Sequence, residues 1–229
     1  MKPKICSTIN PEIIRPNDVK TLLGEGELGC MLDWRVWNPK TNEILEEHTQ
    51  KSESFVQQFL QLLMVEFIKP FIGVGNLLPQ VRDITNTLRY CQWSNPGGQS
   101  NINLSVFANA GTTNQGIVCG TGNTAPAITD YALQTPIANG AGAGQLQYGG
   151  ISYGLPGTDG VSTSQLTITR SFTSNAGGIT VNEIGLYCYS RDTASQDRNF
   201  MIIHDVIAGG IALPAGQTLT INYRPQATI

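Results

Sequence analysis

From Ile117 onward the chain alternates short apolar–polar segments with turns bearing Gly, Asn or Pro, and this rhythm constrains the fold more than any single motif. The clearest segments are 117–120, 145–148, 166–172, 180–189, 200–206 and 219–223. In Leu166-Thr-Ile-Thr-Arg-Ser-Phe172, the apolar Leu166, Ile168 and Phe172 share one face while threonines take the other. Leu219-Thr-Ile-Asn-Tyr223 repeats the pattern. A period of two marks half-buried antiparallel strands, and turns at this spacing suit a sandwich or barrel. The expectation is a mainly β protein: an antiparallel, jelly-roll-like β-sandwich over residues 111–229.

The N-terminal half reads differently. Residues 1–23 hold Pro3, Pro11 and Pro16 among Ile5, Ile9, Ile13 and Ile14, which blocks regular structure and predicts an extended arm. Such an arm wraps its own domain or reaches a neighbouring subunit. Residues 24–110 predict a hairpin plus a helix, packing on the core or docking beside it. The hairpin pairs the run Leu28, Cys30, Leu32, Trp34, Val36 with a more polar edge strand over 43–49, across the turn Asn38-Pro-Lys-Thr-Asn42. Ser52 is placed to cap an amphipathic helix, with Glu53 at its positive end and Pro70 stopping it. Its apolar stripe is Phe55, Phe59, Leu62, Leu63 and Phe67, widened by Val56 and Leu60, against Gln57, Gln58, Gln61 and Glu66. Further strand material is expected over 81–93 and 101–108, around the turn Ser94-Asn-Pro-Gly-Gly98. Gly140-Ala-Gly-Ala-Gly144 and Gly149-Gly150 read as loop.

Charge is scarce and uneven. Charged residues make up 14% of the chain, and between Cys91 and Leu155 the only one is Asp130. Surface charge normally keeps a protein from associating, so a strand-bearing stretch this neutral suggests a surface covered by a partner. A net charge of −3 provides no basic footprint for nucleic acid. The apolar run at 55–71 is broken by Gln57, Gln58, Gln61, Glu66 and Lys69, which excludes a membrane span there. The start lacks the apolar region of a signal peptide. Five scattered cysteines without metal-ligand spacing read as buried free thiols of a chain made in a reducing cytoplasm.

No constellation for chemistry emerges. Gly120-Thr-Gly-Asn-Thr lacks the Gly-Lys-Ser/Thr ending of a phosphate loop, and Gly73-Val-Gly-Asn lacks the third glycine of a dinucleotide fingerprint. His48, beside Glu46 and Glu47, reads as a solvated face rather than a metal site. His204 and Asp205 are neighbours in a strand and point to opposite faces, so they form no catalytic pair. No catalytic residue, cofactor or metal ligand is assigned. The residues singled out are structural: Gly120, Gly122, Asp130, Glu183, Gly185 and Asp205. Asp130 is placed to cap a short segment beginning at Tyr131. Glu183, in an otherwise apolar strand, needs a hydrogen-bond partner, either backbone amides of the Gly120-Thr-Gly-Asn123 turn or Arg170.

The order of these motifs carries a resemblance. Gly120-Thr-Gly-Asn-Thr-Ala-Pro-Ala-Ile-Thr-Asp-Tyr-Ala-Leu133 is followed by Ile168-Thr-Arg-Ser-Phe172 and Asn182-Glu-Ile-Gly-Leu-Tyr187. Met201-Ile-Ile-His-Asp-Val206 and Leu213-Pro-Ala-Gly-Gln-Thr-Leu-Thr-Ile-Asn-Tyr223 complete the series. Over residues ~115–225 the chain resembles structural proteins of tailed bacteriophages, departing where Ile203-His-Asp205 replaces the usual Ala-Arg-Asp. The resemblance implies a non-enzymatic homo-oligomer located in the virion, partnered by itself and other virion proteins, in a tail fibre, collar or neck or as a head fibre or capsid decoration. A competing reading is a module binding host-surface glycan or receptor, with Trp34, Trp37, Trp93, Tyr148 and Tyr153 stacking on sugar faces.

Overall fold

The computed structural model describes residues 23–25, 27–52, 55–68, 79–91, 104–158 and 161–229. The arm over residues 1–22, Cys6, Glu53, Pro70, the loop over 71–78, Trp93 and the turn at 94–98 lie outside the described residues. The strands are β1 (Leu28–Trp37), β2 (Ile44–Ser52), β3 (Gln80–Arg82), β4 (Leu88–Tyr90), β5 (Gly116–Gly120) and β6 (Gln147–Tyr153). They continue as β7 (Gly157–Thr158), β8 (Thr163–Gln165), β9 (Ile168–Thr173), β10 (Ile179–Arg191), β11 (Asp197–Leu213) and β12 (Thr218–Thr228), with one helix among the described residues, α1 (Gln57–Ile68). The protein is mainly β with antiparallel sheets, as the alternation predicts.

The larger sheet is organised around β12. On one side β12 pairs with β1, which pairs with β2. On the other side β9 covers Thr218 to Tyr223 and β8 covers Gln226 to Thr228. Beyond them lie β6 and β7. Proline cannot donate to a ladder, yet Pro225 sits in this central strand. Its carbonyl accepts from Leu166 N on the side where β9 ends and β8 begins, so its missing N–H falls at a natural break. The second sheet has the order β11-β10-β5, and β3 with β4 forms a separate hairpin.

Alternation places Cys30, Leu32, Trp34 and Val36 of β1 with Ile168 and Phe172 of β9 and Leu219, Ile221 and Tyr223 of β12 in one core cluster. That cluster is closed by the second sheet, including Ile117, Cys119, Ile184, Leu186, Met201 and Ile203. Val56, Leu62 and Val65 of the helix region, Val81 of β3 and Cys91 just after β4 belong to the same core. The β1–β2 turn is built as its residues suggest: Asn38 Oδ1 accepts from Lys40 N at 2.9 Å, and Asn42 takes a φ of 56°.

Several local expectations are corrected. Ser52 ends β2 and its hydroxyl donates to Asp205, so it does not cap α1; the helix starts later, at Gln57. Leu60 and Phe67, assigned to the buried stripe, are 64% and 77% exposed, while Gln58 is fully buried. The helix turns its Gln58–Leu62–Val65 side inward, so Leu62 of the expected stripe is buried, as is Val56 just before the helix. Gly149 and Gly150 are part of β6, at a register shift between Tyr148 and Ile151, because the strand passes close to Ser171 there.

Candidate functional site

The chemically distinctive part of the molecule is the segment from Thr121 to Ile137, folded over the exposed side of the second sheet. After β5 the chain turns and runs back, with Thr121 N donating to Thr135 O and Ile137 N to Cys119 O, both at 2.9 Å. Directly opposite Gly120 in the ladder stands Glu183 of β10. Its carboxylate, 1% exposed, reaches past the strand into the turn. Oε1 accepts from Gly122 N at 3.1 Å and Thr135 N at 2.7 Å; Oε2 accepts from Gln134 N at 2.9 Å.

The fourth partner is His204 of β11. Its Nε2 lies 3.2 Å from Glu183 Oε2, and its Nδ1 lies 2.8 Å from Asp130 Oδ2. The imidazole, 4% exposed, thus bridges two carboxylates. Burial works against the charged imidazolium. The hydrogen bonds to Glu183 and then Asp130, with their negative charges, outweigh it and leave the His204 pKa above 6.5. Burial also raises Glu183. The bonds from His204 and from the Thr135, Gln134 and Gly122 amides overcome this and hold its carboxyl below 4.5.

The glycines make this geometry possible. A Cβ on Gly120 would collide with Glu183 Oε1, and one on Gly122 would lie 2.6 Å from the same oxygen. Gly185, opposite His204 in the ladder, leaves room for Tyr187 and Leu133; a Cβ there would meet them at 2.8 and 3.1 Å. The Tyr187 hydroxyl then accepts from Leu133 N at 2.7 Å. Asp205 points to the other face, where Ser52 and Tyr223 hydroxyls donate to Oδ2 at 2.8 and 2.7 Å.

Of the structural residues singled out in the sequence, Gly120, Gly122, Glu183 and Asp130 therefore meet at one place. Gly185 lies beside it and Asp205 anchors the opposite face. Two details differ from expectation. Asp130 does not cap a segment at Tyr131; it folds back to accept from Ala127 N at 2.8 Å, closing a turn on itself, and reaches His204. Arg170 is not the partner of Glu183. It lies on the inner face of β9, fully buried, and its guanidinium donates to the carbonyls of Gln115, Ile117, Gly149, Asn109 and Thr112 at 2.7–3.2 Å. Its Cζ lies 4.9 Å from the Tyr148 ring centre and 5.8 Å from that of Phe172.

Sequence reasoning missed His204 and this cage. Arg170 shares its parity with Ile168 and Phe172, and that was the available signal.

The clasp offers structural chemistry. Both nitrogens of His204 are engaged, and among the described residues no group of three or more His, Cys, Asp or Glu is arranged to hold a metal ion. Burial pushes the Cys91 thiol up to about 12 and holds Cys30, Cys119 and Cys188 higher still, so none of them is a thiolate near neutrality. Of the aromatic residues considered for sugar stacking, Trp34 and Tyr148 are buried at 4% and 1% exposure, Trp37 donates its indole N–H to Thr220, and Tyr153 is exposed. Trp93 lies outside the described residues. His48 stacks on Trp34 with ring centres 4.5 Å apart. No helix among the described residues is long and apolar enough to cross a membrane. Comparison with protein-family models, with curated proteins and with solved structures finds no match for this chain.

Proposed function

We propose that the protein is a non-enzymatic structural component of a bacteriophage virion that assembles as a homo-oligomer in the tail, neck or fibre apparatus. The virion reading rests on the order of motifs along residues ~115–225. The observation that carries assembly is α1. Leu62 and Val65 fill the core, while Leu60, Met64 and Phe67, spaced i, i+4, i+7, stand 64%, 40% and 77% exposed on another side. A helix apolar on two sides is the pattern of one covered on both. Ile128, 63% exposed, adds apolar surface near the start of the helix, where its carbonyl receives Gln57 N at 2.9 Å.

Capsid decoration or a head fibre is the variant of this reading with a different location. A glycan-binding module is less well served, since two of its proposed stacking residues, Trp34 and Tyr148, are used inside the core.

Labelling the chain in assembled virions tests the assignment directly. Detection at a defined site of the particle is the expected result; absence from purified virions would refute it. Light scattering of the purified protein gives subunit number, and Phe67→Asp is expected to lower it.

A further inference from the structure

We propose that His204 is a pH-operated latch: doubly protonated, it fastens the turn at 127–130 to β11, and loss of one proton frees that turn together with the start of α1. The geometry makes the demand. Nδ1 faces Asp130 Oδ2 at 2.8 Å and Nε2 faces Glu183 Oε2 at 3.2 Å. A neutral imidazole has one N–H, so one of these contacts would set a nitrogen lone pair against a carboxylate. Only the imidazolium satisfies both.

Which contact yields is decided by the other partners. Glu183 is held by three backbone amides and is buried. Among the described residues Asp130 has the Ala127 amide alone besides His204, and its side chain is 29% exposed, so water can replace the imidazole there. The remaining proton stays on Nε2 toward Glu183, and the Asp130 contact breaks.

The turn moves as a unit, because Asp130 N donates to Ala127 O at 2.9 Å while Asp130 Oδ2 accepts from Ala127 N. It also acts as the cap of α1, with Ile128 O receiving Gln57 N. Releasing it exposes the first turn of the helix.

The charged groups facing His204 among the described residues are Asp130 from the loop and Glu183 from β10. Asp205, on its own strand, faces the opposite side and accepts from Ser52 and Tyr223. No basic side chain is ion-paired with either carboxylate among the described residues apart from His204 itself. The raised pKa of His204 agrees with this arrangement and sets the direction: closed below its ordinary 6.5, opening as pH rises through the folded pKa.

Two measurements on the full chain test the latch. Imidazole nitrogen NMR at pH 6 is expected to show both ring nitrogens of His204 protonated. Hydrogen exchange across the His204 titration, corrected for intrinsic rates and referenced to β12, is expected to quicken roughly tenfold or more in peptides covering 121–137 and 57–60, the loss of a charge-assisted bond. Asp130→Ala, which leaves the Glu183 clasp intact, is expected to show fast exchange in both peptides at every pH with β12 unchanged. A singly protonated His204 at pH 6 in the folded protein would overturn the proposal. So would wild-type exchange in these peptides that ignores pH and equals that of Asp130→Ala.

Discussion

Arg170 and Glu183 hold the same charge-poor stretch by opposite means. Arg170, a cation from β9, gathers five carbonyl oxygens between Asn109 and Gly149. Glu183, an anion from β10, gathers amides of Gly122, Gln134 and Thr135. Much of the backbone from 104 to 146 lies outside strands, so its polar groups lack the ladder partners that regular structure supplies. Charges lent by the neighbouring sheets satisfy them. The neutral segment is thus wrapped around ions it does not itself carry, with Asp130 its one contribution to the set. The two sites differ in compensation: Glu183 has a counterion in His204, whereas Arg170 has carbonyls and two aromatic faces but no carboxylate among its described partners.

That difference predicts the largest effect. Arg170→Met leaves a set of carbonyls unmet at the junction of both sheets, and the loss is expected on the order of 3–5 kcal/mol by denaturant unfolding. Glu183→Ala is expected to cost less, about 2–4 kcal/mol, because the freed amides lie nearer the surface and His204 keeps Asp130. Glu183→Gln, which keeps the acceptor carbonyl, is expected to recover part of this. If Glu183→Ala proved costlier than Arg170→Met, compensation would not be what separates the sites.

The pH dependence separates them in another way. His204 has a folded pKa above its unfolded 6.5, so its contribution is complete below that value and lost as pH rises through the folded pKa. Glu183 has a folded pKa below 4.5, so its contribution is complete above that value and lost as pH falls through the folded pKa. Burial, partly offset by neighbouring Tyr148 and Cys119, lowers Arg170 only to about 10, so it stays charged while His204 titrates. Stability followed against pH is expected to form a plateau. His204→Gln should flatten its alkaline limb, whereas Arg170→Lys should lower the whole curve and keep its shape.

The sheets were legible because apolar residues at period two, as in Cys30–Leu32–Trp34 and Leu219–Ile221–Tyr223, report burial of one face. Glu183 was legible as a carboxylate that had to be paired, and Gly120 and Gly122 as a turn near it. The partners were not. Amides of Gln134 and Thr135 carry no side-chain signal, and their approach depends on the chain's return alongside Cys119 to Thr121, where Pro136 stands opposite Gly120. His204 looked like any strand histidine, since its two carboxylates come from positions 74 and 21 residues away. The helix stripe misled because Leu60 and Phe67 fit the helical period as well as Leu62 does; which side faces inward is set by β11.

The anion clasp recurs at two buried aspartates whose arginine partners reach the surface, and these set the lower end of the scale. Asp83 accepts from the amides of Thr85 and Thr87 and from Arg89 Nε; Asp192 accepts from those of Ala194 and Gln196 and from Arg198 Nε. The third residue after each aspartate, Asn86 or Ser195, takes a positive φ, 66° or 60°. The two hairpin turns therefore share one construction and lie side by side, Ile84 N bonding Asn199 O and Thr193 N bonding Tyr90 O. Burial is outweighed at both aspartates by these bonds, which hold each below 3.8. Unlike Glu183, each is paired with an arginine that is a quarter or more exposed, so water takes over much of what is lost. Asp83→Ala and Asp192→Ala are each expected to cost about 1 kcal/mol, comparable to losing a helix cap and equal to roughly 2–4 °C of melting temperature. Because the turns share construction, the two values should agree. A loss at either turn as large as that of Glu183→Ala would show that exposure of the carboxylate's partner does not set the scale.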